Sequence, residues 1–182
     1  MVYATFTDEM KQIISNAKGK CFVSYECEKD EIFSRTFGNM RINLDAFSID
    51  LTNEEHSLPF FDEREDVTHF SCVKVDPKTP FKPAVLTDTT ATPVDKIITE
   101  IELITDTINV NNGEYEICFD AAIIIHMGDD VIMLARDTWF SELITIADND
   151  NYDKIFSIDD VKEAWSNDGD YLVDVKRVRT KL

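Results

Sequence analysis

The sequence predicts an α+β protein, mainly antiparallel sheet arranged as a β-meander, with an N-terminal helix and a short C-terminal helix. Period-two alternation of apolar and polar residues recurs along the chain, strong turn signals separate the apolar runs of the second half, and helical spacing is confined to short stretches. With 43% hydrophobic and 10% aromatic residues among 182, the composition can bury a core and differs from that of disordered chains. A single domain over 1–182 is expected, and any subdomain boundary falls in 76–93.

Phe6, Met10, Ile13, Ile14 and Ala17 lie at helical spacing, with Thr7 as N-cap, Asp8 and Glu9 in the first turn, and Gly19 past the end. Lys20 to Cys27 alternates and reads as a half-buried strand. Met40 to Leu51 reads as one long strand whose alternation slips by one residue between Ala46 and Phe47, the mark of a bulge. Thr52 to Asp66 is rich in carboxylates around Leu58-Pro59-Phe60-Phe61 and reads as an acidic loop with an apolar tip. Val67 to Val75 is a further strand. Pro77, Pro80, Pro83 and Pro93 give 76–93 the composition of a connection.

Thr92-Pro93 suggests a short helical turn before a strand that runs to Val110. Asn111-Asn112-Gly113 is a hairpin signal, and Glu114 to His126 returns through the apolar run Ala121 to Ile125. Gly128-Asp129-Asp130 turns the chain into Val131 to Ala135, completing the meander. Ser141 to Ala147 adds a strand, Ser157 caps a short helix over Ile158 to Trp165, and Tyr171 to Val178 is the last strand.

Eighteen Lys and Arg against 36 Asp and Glu give a net charge of −18. Such a charge repels phosphate and argues against a general nucleic-acid binder. No apolar run approaches the roughly 18 residues of a membrane span, and the start lacks a signal-peptide pattern, so a cytoplasmic protein without membrane association is expected. Cys21, Cys27, Cys72 and Cys118 show no C-x-x-C spacing and read as reduced thiols.

Known chemical signatures are sparse. Asp174-Val175-Lys176 matches the acid-x-Lys end of a metal-dependent nuclease motif, but Asp76-Pro77-Lys78 and Asp160-Val161-Lys162 match it equally. Asp148 to Asp159 resembles a calcium loop, yet lacks the Gly at its sixth position and the Glu at its twelfth. His56, His69, His126 and Asp174 are the candidate catalytic groups, since a metal-free ribonuclease can work with two histidines, or with a His and a Glu and an Arg on the phosphate. His69 and His126 are the pair that could meet across a sheet. No cofactor is expected, and a divalent metal only if the protein is a nuclease.

Charge distribution is more informative. One acidic block, Asp45 to Asp66, contains Glu54, Glu55, Asp62, Glu63, Glu65 and Asp66; a second, Asp148 to Asp170, contains Asp148, Asp150 and Asp153. Carboxylates held in rows can occupy a basic channel built for nucleic acid. Lys176, Arg177, Arg179 and Lys181 form the basic counterpart and could contact a nucleic-acid backbone.

A short, acidic α+β chain with Glu54-Glu55, Asp62-Glu63-Arg64-Glu65-Asp66 and Asp148-Asn149-Asp150, and no familiar enzyme motif, resembles the anti-CRISPR proteins directed against type II CRISPR effector nucleases. The resemblance covers the whole chain in size, charge and style, and rests on no diagnostic motif. It implies, as partner, the type II effector nuclease or its guide-RNA complex, whose channel is basic. Some such proteins block guide or target binding stoichiometrically; others truncate the guide RNA. Three expectations follow: an inhibitor whose acidic faces engage the effector, a ribonuclease that cuts the guide RNA once docked, or an acidic protein-binding module of another pathway.

Overall fold

The protein, seen in a computed structural model that describes residues 1–28, 34–85, 88–137, 139–148 and 151–182, is 59% strand and 12% helix. Two sheets divide the chain. The first half supplies a five-stranded sheet in the order β6 (Glu63–Val75), β5 (Ser48–Phe60), β4 (Asn39–Leu44), β2 (Cys21–Glu28) and β7 (Thr89–Ile97). The second half builds most of a seven-stranded sheet in the order β12 (Val173–Lys181), β8 (Glu100–Val110), β9 (Tyr115–Met127), β10 (Asp130–Arg136), β11 (Leu143–Asp148) and β3 (Arg35–Phe37). The meander β8–β9–β10–β11 is thus antiparallel throughout. The seventh strand, β1 (Val2–Ala4), runs parallel to Ile117–Phe119, beyond the stretch of β9 that β10 covers.

The sheets share one core. Phe22, Met40, Ile42, Ile49, Leu51 and Phe70 from the smaller sheet pack with Leu103, Ile123, Ile125, Ile132, Leu134 and Ile144 from the larger. Helix α1 (Asp8–Ser15), with Thr7 accepting from the Met10 amide at its N-cap, adds Ile14. The larger sheet is also covered on its outer face, by α2 (Tyr152–Ile155), α3 (Ile158–Trp165) and the tip of the β5–β6 hairpin. A strand buried on both faces needs no polar alternation. That accounts for the unbroken run Ala121 to Ile125.

The register of β8 on β9 shifts at Ile104/Thr105, leaving Ala121 as an extra residue opposite them. This bulge re-aims the strand. Phe119 joins the outer cluster, while Asp120 is buried with one oxygen accepting from the Phe6 amide at 2.7 Å and the other from Thr105 at 2.6 Å. Asn111, Asn112 and Gly113 all have positive φ, as the tight β8–β9 turn requires. At Gly38, between β3 and β4, φ is +69° and an added Cβ would lie 2.6 Å from that of Ala84, so glycine is needed for both conformation and space.

Three expectations for the first half are corrected. The slip in the Met40 to Leu51 pattern is a chain reversal: β4 and β5 form a hairpin across Asp45 and Ala46, pairing Met40 with Leu51 and Ile42 with Ile49 on the buried face. Thr52 to Asp66 is no loop, because β5 and β6 pair continuously from Ser48/Val75 to Phe60/Glu63. Thr92-Pro93 starts no helix. Pro93 sits in β7, an edge strand, beside a register shift in β2, where its missing N–H breaks no ladder. The C-terminal helix α3 has the capping box Ser157/Asp160, with Ser157 Oγ accepting from the Asp160 amide.

Candidate functional site

The β5–β6 hairpin carries the first acidic block out of the sheet as a two-stranded ribbon. Cross-strand register puts Glu54, Leu58, Phe60, Glu63 and Glu65 on one face and Glu55 and Asp66 on the other, because directly opposed residues share a face. Glu54, Glu55, Asp62, Glu63, Glu65 and Asp66 are exposed. Arg64, the cation of this block, donates to Ser57 Oγ at 3.2 Å and to the Ser57 carbonyl, not to its acidic neighbours. The ribbon is anchored at both ends. Asn53 Nδ2 and Thr68 Oγ1 both donate to the Ser141 carbonyl, and at the tip Tyr115 Oη donates to the Pro59 carbonyl at 2.9 Å.

The basic strand β12 is engaged by carboxylates. Arg177 is paired with buried Asp106 through two bonds of 2.8 and 2.7 Å, with Asp153 at 2.8 Å, and with the Phe156 carbonyl at 2.7 Å. Its side chain is 6% exposed, and the guanidinium stacks over Tyr152. Burial opposes its charge, but Asp106 and Asp153 outweigh burial and raise its pKa. Arg177 is therefore a structural tie between β12, β8 and α2 rather than a surface cation. Arg179 bonds Asp153 and Glu102, and Lys181 bonds Glu100, though both remain partly exposed. Lys176 is exposed. In the second acidic block Asp148 is exposed, Asp153 is held by the two arginines, and Asp150 lies outside the described residues.

The histidines do not converge as expected. His69 on β6 and His126 on β9 belong to different sheets, and Asp174 is exposed on β12 opposite Asn109. His56 and His69 instead stack on each other, ring centroids 4.0 Å apart. Burial lowers the pKa of His69, the Phe70 carbonyl opposes this, and His56 and Arg136 lower it further. The unfolded chain therefore binds a proton more readily, so stability contributed by His69 is complete above about pH 6.5 and falls as the pH drops below it. His69→Gln should flatten that decline, as urea unfolding at pH 7 and pH 5 would show; an unchanged slope would contradict it.

His126 has other neighbours. Its Nε2 lies 3.7 Å from Glu102, and ligand atoms of Glu100, Glu102 and His126 fall within 4.8 Å of one another. A cation there would compete with Lys181 and Arg179 for the same carboxylates.

A further feature lies over the outer face of the larger sheet. There α2, α3 and the ribbon tip surround a cavity of about 590 Å³, walled by Phe60, Phe61, Phe119, Trp139, Tyr152 and Trp165 among others. Arg136, at the end of β10, lines it at 4% exposure. Its guanidinium lies over the Phe119 ring at 4.8 Å and the Trp139 ring at 5.3 Å. Among the described residues, Nε and both terminal nitrogens lack a hydrogen-bond partner, as does Trp139 Nε1. Burial pushes the Arg136 pKa down to about 10, against the pull of Tyr152, Asp120 and Asp106, so it stays charged at neutral pH. Nothing in the sequence patterns singled out this residue, which simply closes the apolar run Val131 to Ala135. No family of proteins, curated protein or solved structure matches this chain.

Proposed function

We propose that the protein is an anti-CRISPR inhibitor that binds a type II RNA-guided effector nuclease, its acidic ribbon engaging the basic channel that holds guide RNA and target DNA. The carrying observation is the ribbon: six exposed carboxylates on a paired hairpin, with the local arginine turned to Ser57. Several cations elsewhere are drawn into ion pairs, Arg35 with Asp137, Arg41 with Asp50, and Lys96 with Asp130 among them. Negative charge on a scaffold anchored at both ends meets a basic groove without ordering a flexible segment.

A second reading is favoured by one arrangement. His126, Glu102 and Arg179 supply an acid, a base and a phosphate ligand within one partly exposed cluster on the basic strand's side, the set a guide-RNA ribonuclease needs.

Titrating the protein into a reconstituted effector with guide RNA and target DNA separates the two. The inhibitor reading expects cleavage to cease near one equivalent with guide RNA of unchanged length. Shortened guide RNA at a small fraction of one equivalent, lost in His126→Ala, would replace it with the ribonuclease. Uninhibited cleavage would remove both.

A further inference from the structure

We infer that the cavity beneath α2 and α3 binds a small organic carboxylic acid with a flat apolar body, its carboxylate held by Arg136. This goes beyond the inhibitor reading and stands on separate residues.

Arg136 is only 4% exposed, and a buried guanidinium without hydrogen-bonded partners among the described residues is costly to keep. The aromatic faces of Phe119 and Trp139 offset part of that cost but accept none of its N–H bonds in the plane of the group. Together with Trp139 Nε1, the buried polar groups of the wall left without a partner among the described residues are therefore all donors. The complementary ligand brings acceptors.

Charge restricts it further. Asp106 in the lining is matched by Arg177, Asp137 by Arg35 at 3.0 Å, and Asp160 bonds the amide and hydroxyl of Ser157. Arg136 is left as the unmatched cation of the cavity, which suits one negative charge. A phosphate dianion would lie among those three carboxylates with a single cation to hold it. A carboxylate fits the planar fork of a guanidinium through two parallel bonds. The remaining walls are mostly rings, and about 590 Å³ suits a ligand of drug-like size.

The test uses calorimetric titration of the full chain with 2-naphthoate, with 2-naphthamide, which keeps the rings and loses the charge, and with inorganic phosphate. The expected result is saturable one-to-one binding of 2-naphthoate with the amide at least about tenfold weaker. Both tryptophans of the chain line the cavity, so the Trp139 indole N–H resonance should move with the acid. Arg136→Met, similar in length and without the buried charge, should stay folded and bind acid and amide alike. Equal binding of acid and amide by the wild-type protein, phosphate binding more tightly than 2-naphthoate, or no 2-naphthoate binding at about 1 mM would overturn the assignment. The amide comparison needs no variant, so it decides the matter even if Arg136→Met fails to fold.

Discussion

Asp106→Ala should destabilise the protein by about 3–5 kcal/mol, the cost of leaving one member of a buried ion pair alone. Asp106 is fully buried on β8 and accepts two bonds from Arg177, whose remaining contacts run to Asp153 and the Phe156 carbonyl. Removing the carboxylate strands the guanidinium against Tyr152 and frees the link that holds α2 to the sheet. The midpoint of urea unfolding should fall with little change in slope. Replacing both members, Asp106→Leu with Arg177→Met, should recover much of the loss, because breaking a buried pair costs more than substituting apolar groups for it. A loss below about 1 kcal/mol for Asp106→Ala would mean that Arg177 finds its stability elsewhere.

Reversing the ribbon's charge should act on function and leave the fold in place. Lysine at Glu55, Glu63, Glu65 and Asp66 together removes exposed carboxylates for which no hydrogen bond or ion pair is seen among the described residues, so each change should alter stability by no more than about 0.5 kcal/mol. Inhibition of the effector should nonetheless need at least about 100-fold more protein, since like charges would then face each other across the interface. The difference should shrink as salt is raised. Asp153→Lys is unsuitable for the same purpose, because it breaks the bonds to Arg177 and Arg179. An unaltered inhibition curve for the ribbon variant would separate the acidic block from function.

How far the sequence disclosed this structure depended on which force shaped each segment. The meander was readable because Asn111-Asn112-Gly113 and Gly128 enforce turns locally, and because β9 and β10 are apolar enough to declare themselves. The ribbon was not, since its strand alternation is hidden under carboxylates that are outward on both faces, and only pairing with β6 makes it a strand. Its apolar tip was read correctly, but Phe60 and Phe61 pack on Tyr115 and Trp165 or Tyr171 rather than facing solvent. The slip at Ala46/Phe47 fits a bulge and a hairpin equally, and long-range packing decided between them.

The same holds for the charged groups. The exposed acids of the first block lie where charge alone would put them, but the fate of Arg177 depends on Asp106, distant in sequence and adjacent only through the β12–β8 register. Arg136 closes an apolar run and looks like an ordinary strand end. Its burial follows from α2, α3 and the ribbon tip folding over it, a tertiary event with no local signature.

The claim that the acidic ribbon stands in for nucleic acid is tested most directly by competition. A labelled guide RNA bound to the type II effector at near-physiological salt would be titrated with this protein while its anisotropy is followed, and target DNA bound to the effector–guide complex would be treated alike. The account predicts that the protein displaces one of these nucleic acids, with a displacement constant that weakens steeply as salt rises. A ternary complex in which the protein and both nucleic acids remain bound together would contradict it.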